Sequence, residues 1–259
     1  MRSLLSHYIS LFFVVGTYLF LYIPIIVLVI FSFNKAALPA PWLGFSLQWY
    51  QELWNSTHIW QALYTSLTVS ICATFLSLLM TVLLVFYDMQ VGSIERFLAI
   101  FYANLIVPEV VLAVGLMSFF SFFSIPLGVP TLIISHTVLG LGFAMPIVYG
   151  RFKELDYRLT EASLDLGATY GQTFFKVTMP LLKPSLFAAG LLVFIISFDD
   201  FVLSYFCAGS SAQTLSLYIL SMLRSGLSPV VNALSTVLLC FSSILVILYC
   251  SLNARNRIL

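Results

Sequence analysis

RFKELDYRLTEASLDLGATYGQTFFKVTMPLLKP, residues 151 to 184, is a polar stretch set between two apolar ones. It carries five of the chain's 11 Lys and Arg residues and four of its 10 Asp and Glu residues. The flanking windows, 130–150 and 184–206, each reach the ~20 apolar residues that a helix needs to cross a bilayer. A connection this long inside a compact bundle usually has a function of its own. Its pattern predicts two short helices broken near Gly171, the second ended by Pro180 and Pro184. On the first, Glu161, Asp165 and Tyr170 share space with the small residues Ala162, Ser163, Gly167 and Ala168. Such a patch lets another surface approach the backbone closely; a solvated amphipathic loop has the same composition, and the residues alone do not choose.

Outward from this loop the whole chain is apolar. Of 259 residues 61% are hydrophobic and 8% charged, against about 25% charged in soluble domains. Six windows have spanning length and composition, 9–33, 61–87, 97–123, 130–150, 184–206 and 231–251. The expectation is an all-α, polytopic membrane protein of six transmembrane helices, one transmembrane domain over 1–259 with 151–183 as its long cytoplasmic loop. The first window exceeds the ~7–15-residue core of a cleaved signal and is read as a retained helix. Basic residues near helix ends stay on the cytoplasmic side. With the N-terminus inside, Arg2, Arg96, Arg151, Lys153, Arg158, Lys176, Lys183, Arg255 and Arg257 are cytoplasmic, and only Lys35 and Arg224 are outside. Both termini are therefore placed in the cytoplasm. Trp42, Trp49, Trp54 and Trp60 fall in the first outer segment, which suits a short helix lying at the membrane interface.

Several functions are excluded by what is missing. A net charge of +1 without a basic run gives no basis for a nucleic-acid partner. Cys72, Cys207, Cys240 and Cys250 have no paired spacing, so they read as packing residues rather than a disulfide framework or metal site. No Gly is followed by Lys, so the phosphate loop Gly-x-x-x-x-Gly-Lys-Ser/Thr is absent and ATP would have to be hydrolysed by another chain. His7, His58 and His136 lie far apart, and His136 reads as a hydrogen-bonded packing residue. The expected protein is a non-enzymatic membrane subunit with no bound cofactor or metal.

Within the loop, Glu161-Ala162-Ser163, three residues, Gly167, nine residues, then Val177-Thr178-Met179-Pro180 resembles the EAA signature of permease subunits of ATP-binding-cassette importers. That signature runs Glu-Ala-Ala, Gly, then Ile-x-Leu-Pro at the same spacing; Ser163, Val177 and Met179 are small departures. Beyond the loop, PWLGFSLQWY (41–50), SFDDFVLS (197–204) and SPVVNALSTVLL (228–239) resemble permeases of bacterial spermidine/putrescine importers. The resemblance implies a type I importer fold in the bacterial inner membrane. It also implies a sister permease, two copies of a cytoplasmic ATPase that binds ATP and Mg, and an extracytoplasmic polyamine-binding protein. Glu161, Ala162, Ser163, Asp165, Gly167 and Ala168 would then be the ATPase-coupling residues.

IISFDDFVLSYF, residues 195 to 206, holds the candidate substrate path. A charge at the centre of a spanning helix costs about 2.5–3.5 kcal/mol on insertion scales, so it pairs or lines a wet cavity. Asp199 and Asp200 lie about 7 Å outward from the middle of the fifth window at ~1.5 Å per residue. Pro108-Glu109 falls near the middle of the third, where Pro loosens backbone hydrogen bonding; the resemblance sets Glu109 where the family has an aspartate. These three carboxylates have no intramembrane Lys or Arg beside them in the sequence, so a cationic cargo would supply the missing charge. On a continuous helix Ser197, Asp200 and Ser204 form one polar stripe (i, i+3, i+7), and Asp199 falls among Ile195, Ile196, Val202 and Leu203. Asp200 is thus the expected pore-lining residue, with Asp199 lining only if the helix unwinds. The alternatives are an importer for another organic cation, or a secondary transporter whose acids carry protons or sodium; the second fits poorly, because no internal repeat is visible.

Overall fold

The computed structural model describes residues 2–36, 41–92, 94–225 and 228–256. Arg257 and the side chains of Arg2, His7, Arg96, Cys250 and Arg255 lie outside the described residues. The described elements are helical, as expected where lipid offers backbone groups no partner. In order they are α1 (Arg2–Phe31), α2 (Gln48–Asn55), α3 (Thr57–Val91), α4 (Glu95–Ile106), α5 (Glu109–Phe122) and α6 (Val129–Glu154). There follow α7 (Tyr157–Asp165), α8 (Tyr170–Thr173), α9 (Met179–Asp199), α10 (Val202–Cys207), α11 (Leu215–Ser225) and α12 (Pro229–Asn256). Two compact units emerge, one of Met1–Thr57 with Ile219–Leu259, the other of His58–Tyr218.

In the first unit, α1 and α2 pack on α12. The chain between α1 and α2 is built rather than loose: the Asn34 side chain donates to Pro41 O and accepts from Leu43 N, and Trp49 Nε1 donates to Asn34 O at 2.7 Å. Of the four tryptophans only Trp49 and Trp54 belong to the short helix α2; Trp42 precedes it and Trp60 lies on α3. The short helix α2 therefore holds two of the four tryptophans rather than all of them.

The second unit holds the long spans. Ser10–Phe31 in the first unit and Thr57–Val91, Val129–Glu154 and Tyr170–Asp199 in the second are long and apolar enough to cross a membrane. The sixth window lies on α12. The third window is not one straight helix: α4 and α5 meet at 115° across Val107-Pro108. Pro108 has no N–H to donate and pushes the residue before it out of helical geometry, and Val107 is extended at φ −66°, ψ 130°. Helices α3, α6 and α9 close on one another at Gly140, where a Cβ would run into Ser77 and Val193. Small residues allow that approach, which in lipid takes the place of hydrophobic collapse.

The polar loop also differs from its reading. It breaks at Gly167, not near Gly171, and Pro180 and Pro184 do not end the second helix. From Tyr170 the chain runs helically to Asp199, with a π-helical turn at Phe174–Thr178. Pro180 sits at the start of α9, directly after that turn, and the wider turn accommodates a residue that cannot make the usual i→i−4 bond.

Candidate functional site

The first polar cluster lies where α9 stops. Asp200 is extended (φ −62°, ψ 130°), and the helix restarts at Val202. The reason is visible in the side chain: Asp200 Oδ2 accepts from Ser204 N at 2.9 Å, and Oδ1 lies 3.4 Å from Leu203 N. Asp200 thus caps the first turn of α10, satisfying donors that lipid would leave unpaired. Its own carbonyl accepts from Ser216 Oγ at 2.6 Å. The stripe of Ser197, Asp200 and Ser204 does come together, but around His136 of α6 rather than along one continuous helix. His136 is buried, with Nδ1 2.8 Å from Ser197 Oγ and Nε2 3.5 Å from both Asp200 Oδ2 and Ser204 Oγ.

Glu109 approaches this group from the first turn of α5, which packs against α10. The 115° bend delivers it there. Asp199 is separate. It is exposed, whereas Asp200 is only 7% exposed. The choice of Asp200 as the pore-lining residue assumed an unbroken helix; here the helix stops at Asp199, which is exposed, and Asp200 is buried under its contacts to α10 and His136. His136 and Ser216 were not singled out as site residues; the signal available was an imidazole at mid-span, which packing alone also explains.

The second cluster is the loop. Asp156 caps α7 by accepting from Arg158 N at 3.0 Å. The C-terminus of α7 closes with Gly167 N donating to Leu164 O at 2.8 Å and Ala168 N to Ser163 O at 3.1 Å. That pair of bonds is a Schellman motif, which needs a left-handed residue at Gly167, and its φ is +85°. Thr169 and Gln172 then cap α8 reciprocally, at 3.3 and 3.0 Å. Ser163 Oγ bonds Thr173 Oγ1 at 2.9 Å, which fastens α7 to α8. Glu161, Ala162, Asp165 and Gly167 remain exposed, Ala168 is half-buried, and Leu166 between them is 89% exposed. The loop is a preformed knob with an acidic, small-residue face.

Residues 93–258 match the family described as "Binding-protein-dependent transport system inner membrane component". The chain belongs to that family. This inner membrane component is 37% identical over 237 residues to the spermidine/putrescine transport system permease protein PotC of Escherichia coli strain K12, covering 91% of this chain and 90% of that one. It is 34% identical over 230 residues to the putrescine transport system permease protein PotI of the same strain, covering 85% and 82%. Among solved structures, a chain from a bacterial ABC transporter involved in the import of the acidic polysaccharide alginate superposes with a TM-score of 0.73 at 18% identity, covering 98% and 96%. The fold is that of ABC importer permeases, and membership makes the chain a multi-pass membrane subunit of a binding-protein-dependent transporter, not a secondary transporter.

Proposed function

We propose that this inner membrane component forms, with a sister permease, the path by which a polyamine crosses the membrane. The observation that carries the reading is the break between α9 and α10, which leaves Asp199 exposed next to Asp200 and which α5, with Glu109 in its first turn, packs against. The sequence has no Lys or Arg between residues 97 and 150 or between 184 and 223, so the spans that build this break carry no fixed cation. An exposed carboxylate at this depth is too costly to face lipid. The face of Asp199 is therefore an inner one, toward cargo or the sister chain. A polyamine supplies several ammonium groups on a flexible chain, matching several spaced carboxylates and hydroxyls. The two relatives named for spermidine and putrescine transport support the same cargo.

In this reading the complex holds two copies of a cytoplasmic ATPase that bind and hydrolyse ATP with Mg, and one of them seats on the knob at Glu161, Ala162, Ser163, Asp165, Gly167 and Ala168. An extracytoplasmic binding protein delivers the cargo. The chain itself binds no cofactor, and both termini lie in the cytoplasm.

Reconstitution with its partner subunits and a screen of cargo-stimulated ATP hydrolysis tests the cargo. Spermidine or putrescine should stimulate, and neutral or anionic solutes should not. Stimulation by a different organic cation alone would move the assignment to that cation, and stimulation by a neutral solute would remove the carboxylate argument.

A further inference from the structure

A buried carboxylate lies outside both clusters. Asp88, at the cytoplasmic end of α3, is 4% exposed. Three groups from two segments converge on it. Ile94 N, just ahead of α4, donates to Oδ1 at 3.0 Å, and Tyr149 Oη of α6 donates to Oδ2 at 3.1 Å. Lys153 Nζ of α6 lies 3.5 Å from Oδ2 and 5.2 Å from the centroid of the Tyr149 ring. The neighbouring Met89 Sδ accepts from Thr178 Oγ1 at 3.6 Å, on the returning π-helical turn.

Residues 88 and 89 thus hold both roots of the loop. Lys153 precedes the Asp156 cap by three residues, and Thr178 lies on the way back. The apolar packing agrees: Val85, Ile94, Tyr149 and Phe174 share one buried cluster. The remaining bond, to Ile94, reaches the start of α4, and the chain runs from there through α4 to the Val107-Pro108 bend and Glu109. Asn104 of α4 fastens that helix to α6 through Val138 O at 2.7 Å.

We infer that Asp88 is a positioning residue that sets the coupling loop and the α4 arm carrying Glu109 in one fixed relation, through paired contacts with Lys153, Tyr149 and Ile94. The inference rests on the loop being the ATPase seat. A buried carboxylate held by a cation and a hydroxyl of α6 and a backbone N–H ahead of α4 fixes the relative placement of those two segments, because removing one partner leaves a buried charge uncompensated. Displacement of the loop by a partner is then felt at the start of α4, not absorbed by a slack linker.

The test is a double-mutant cycle in the reconstituted complex, with Asp88→Asn, Lys153→Met and the two combined. The ratio of cargo-stimulated to basal ATP hydrolysis should fall at least ~5-fold in each single variant. The combined variant should be no worse than about twofold below the lower single one, as for two groups acting through one contact. Co-purification of the ATPase should stay within about twofold of wild type, which a general folding defect would not allow. A wild-type ratio in Asp88→Asn, strictly multiplicative losses in the pair, or loss of the ATPase from both single variants would overturn the inference. If Asp88→Asn fails to assemble, Lys153→Met, altered at a half-exposed amine, decides alone. Gly167→Ala separates the two readings. Should it lower the ratio while the Asp88 and Lys153 variants do not, only the positioning role fails; should all three leave it intact, the ATPase seat fails too.

Discussion

Adjacent aspartates perform different tasks when a helix ends between them. Asp200 is consumed by its own backbone, since its two carboxylate oxygens face the first N–H groups of α10, while Asp199 is the last residue of α9 and stays exposed. Asn caps about as well as Asp, and Ala forfeits about 0.5–2 kcal/mol at such a position. Asp200→Asn should therefore assemble normally, whereas Asp200→Ala should lower the assembled yield, measured by co-purification with the partner subunits. Asp199→Asn should assemble as wild type and raise the half-saturating polyamine concentration about tenfold or more, because a charge-assisted hydrogen bond is worth roughly 1.5–3 kcal/mol. Transport assays across a range of spermidine concentrations check this. Unchanged half-saturation in Asp199→Asn would mean that the exposed carboxylate does not meet the cargo. The acid pair was legible from the sequence because two charges interrupt an apolar run. Which of the two is exposed was not, because that depends on a break stabilised by His136 and Ser216 from elsewhere in the chain.

Among the elements, prolines were the least predictable. Pro108 turns one expected span into two helices at 115°, while Pro180 and Pro184 leave the second loop helix running into α9. The difference lies in the neighbourhood. A π-helical turn ahead of Pro180 absorbs the missing hydrogen bond, and Val107 adopts the extended geometry that Pro108 favours. Local composition lists the same residue in each case. Gly167 was legible as a small residue in the loop, yet its stronger constraint is conformational. No atom lies within 4 Å of where its Cβ would stand, but its φ is +85°, a region costing L-residues about 1–2 kcal/mol. Gly167→Asn should thus retain most ATPase co-purification, Gly167→Ala should retain less, and Gly167→Trp, which adds bulk on the open face, least. Equal retention in all three would show that the end of α7 does not meet the ATPase.

For the whole molecule, fold and cargo separate. The same architecture serves a transporter of an acidic polysaccharide, so the path's charge must come from residues placed on the fold rather than from the fold itself. Helices and most span boundaries were readable from hydropathy; the Asp88 knot was not, because a lone carboxylate one residue past an apolar window looks like a boundary marker. What joins fold to function is orientation, since the loop can meet a cytoplasmic ATPase only if it lies inside. Nine of the 11 basic residues fall on one side under the proposed topology, and five of those lie in the loop whose caps and turns are already formed. On the opposite side, Trp49 is anchored to Asn34 and the exposed Trp42 and Trp54 suit a headgroup layer. A reporter active only in the cytoplasm should be active when fused after Asp165 and silent when fused near Trp49. The opposite pattern would put the acidic knob outside, out of reach of any ATPase, and the coupling assignment would fall with it.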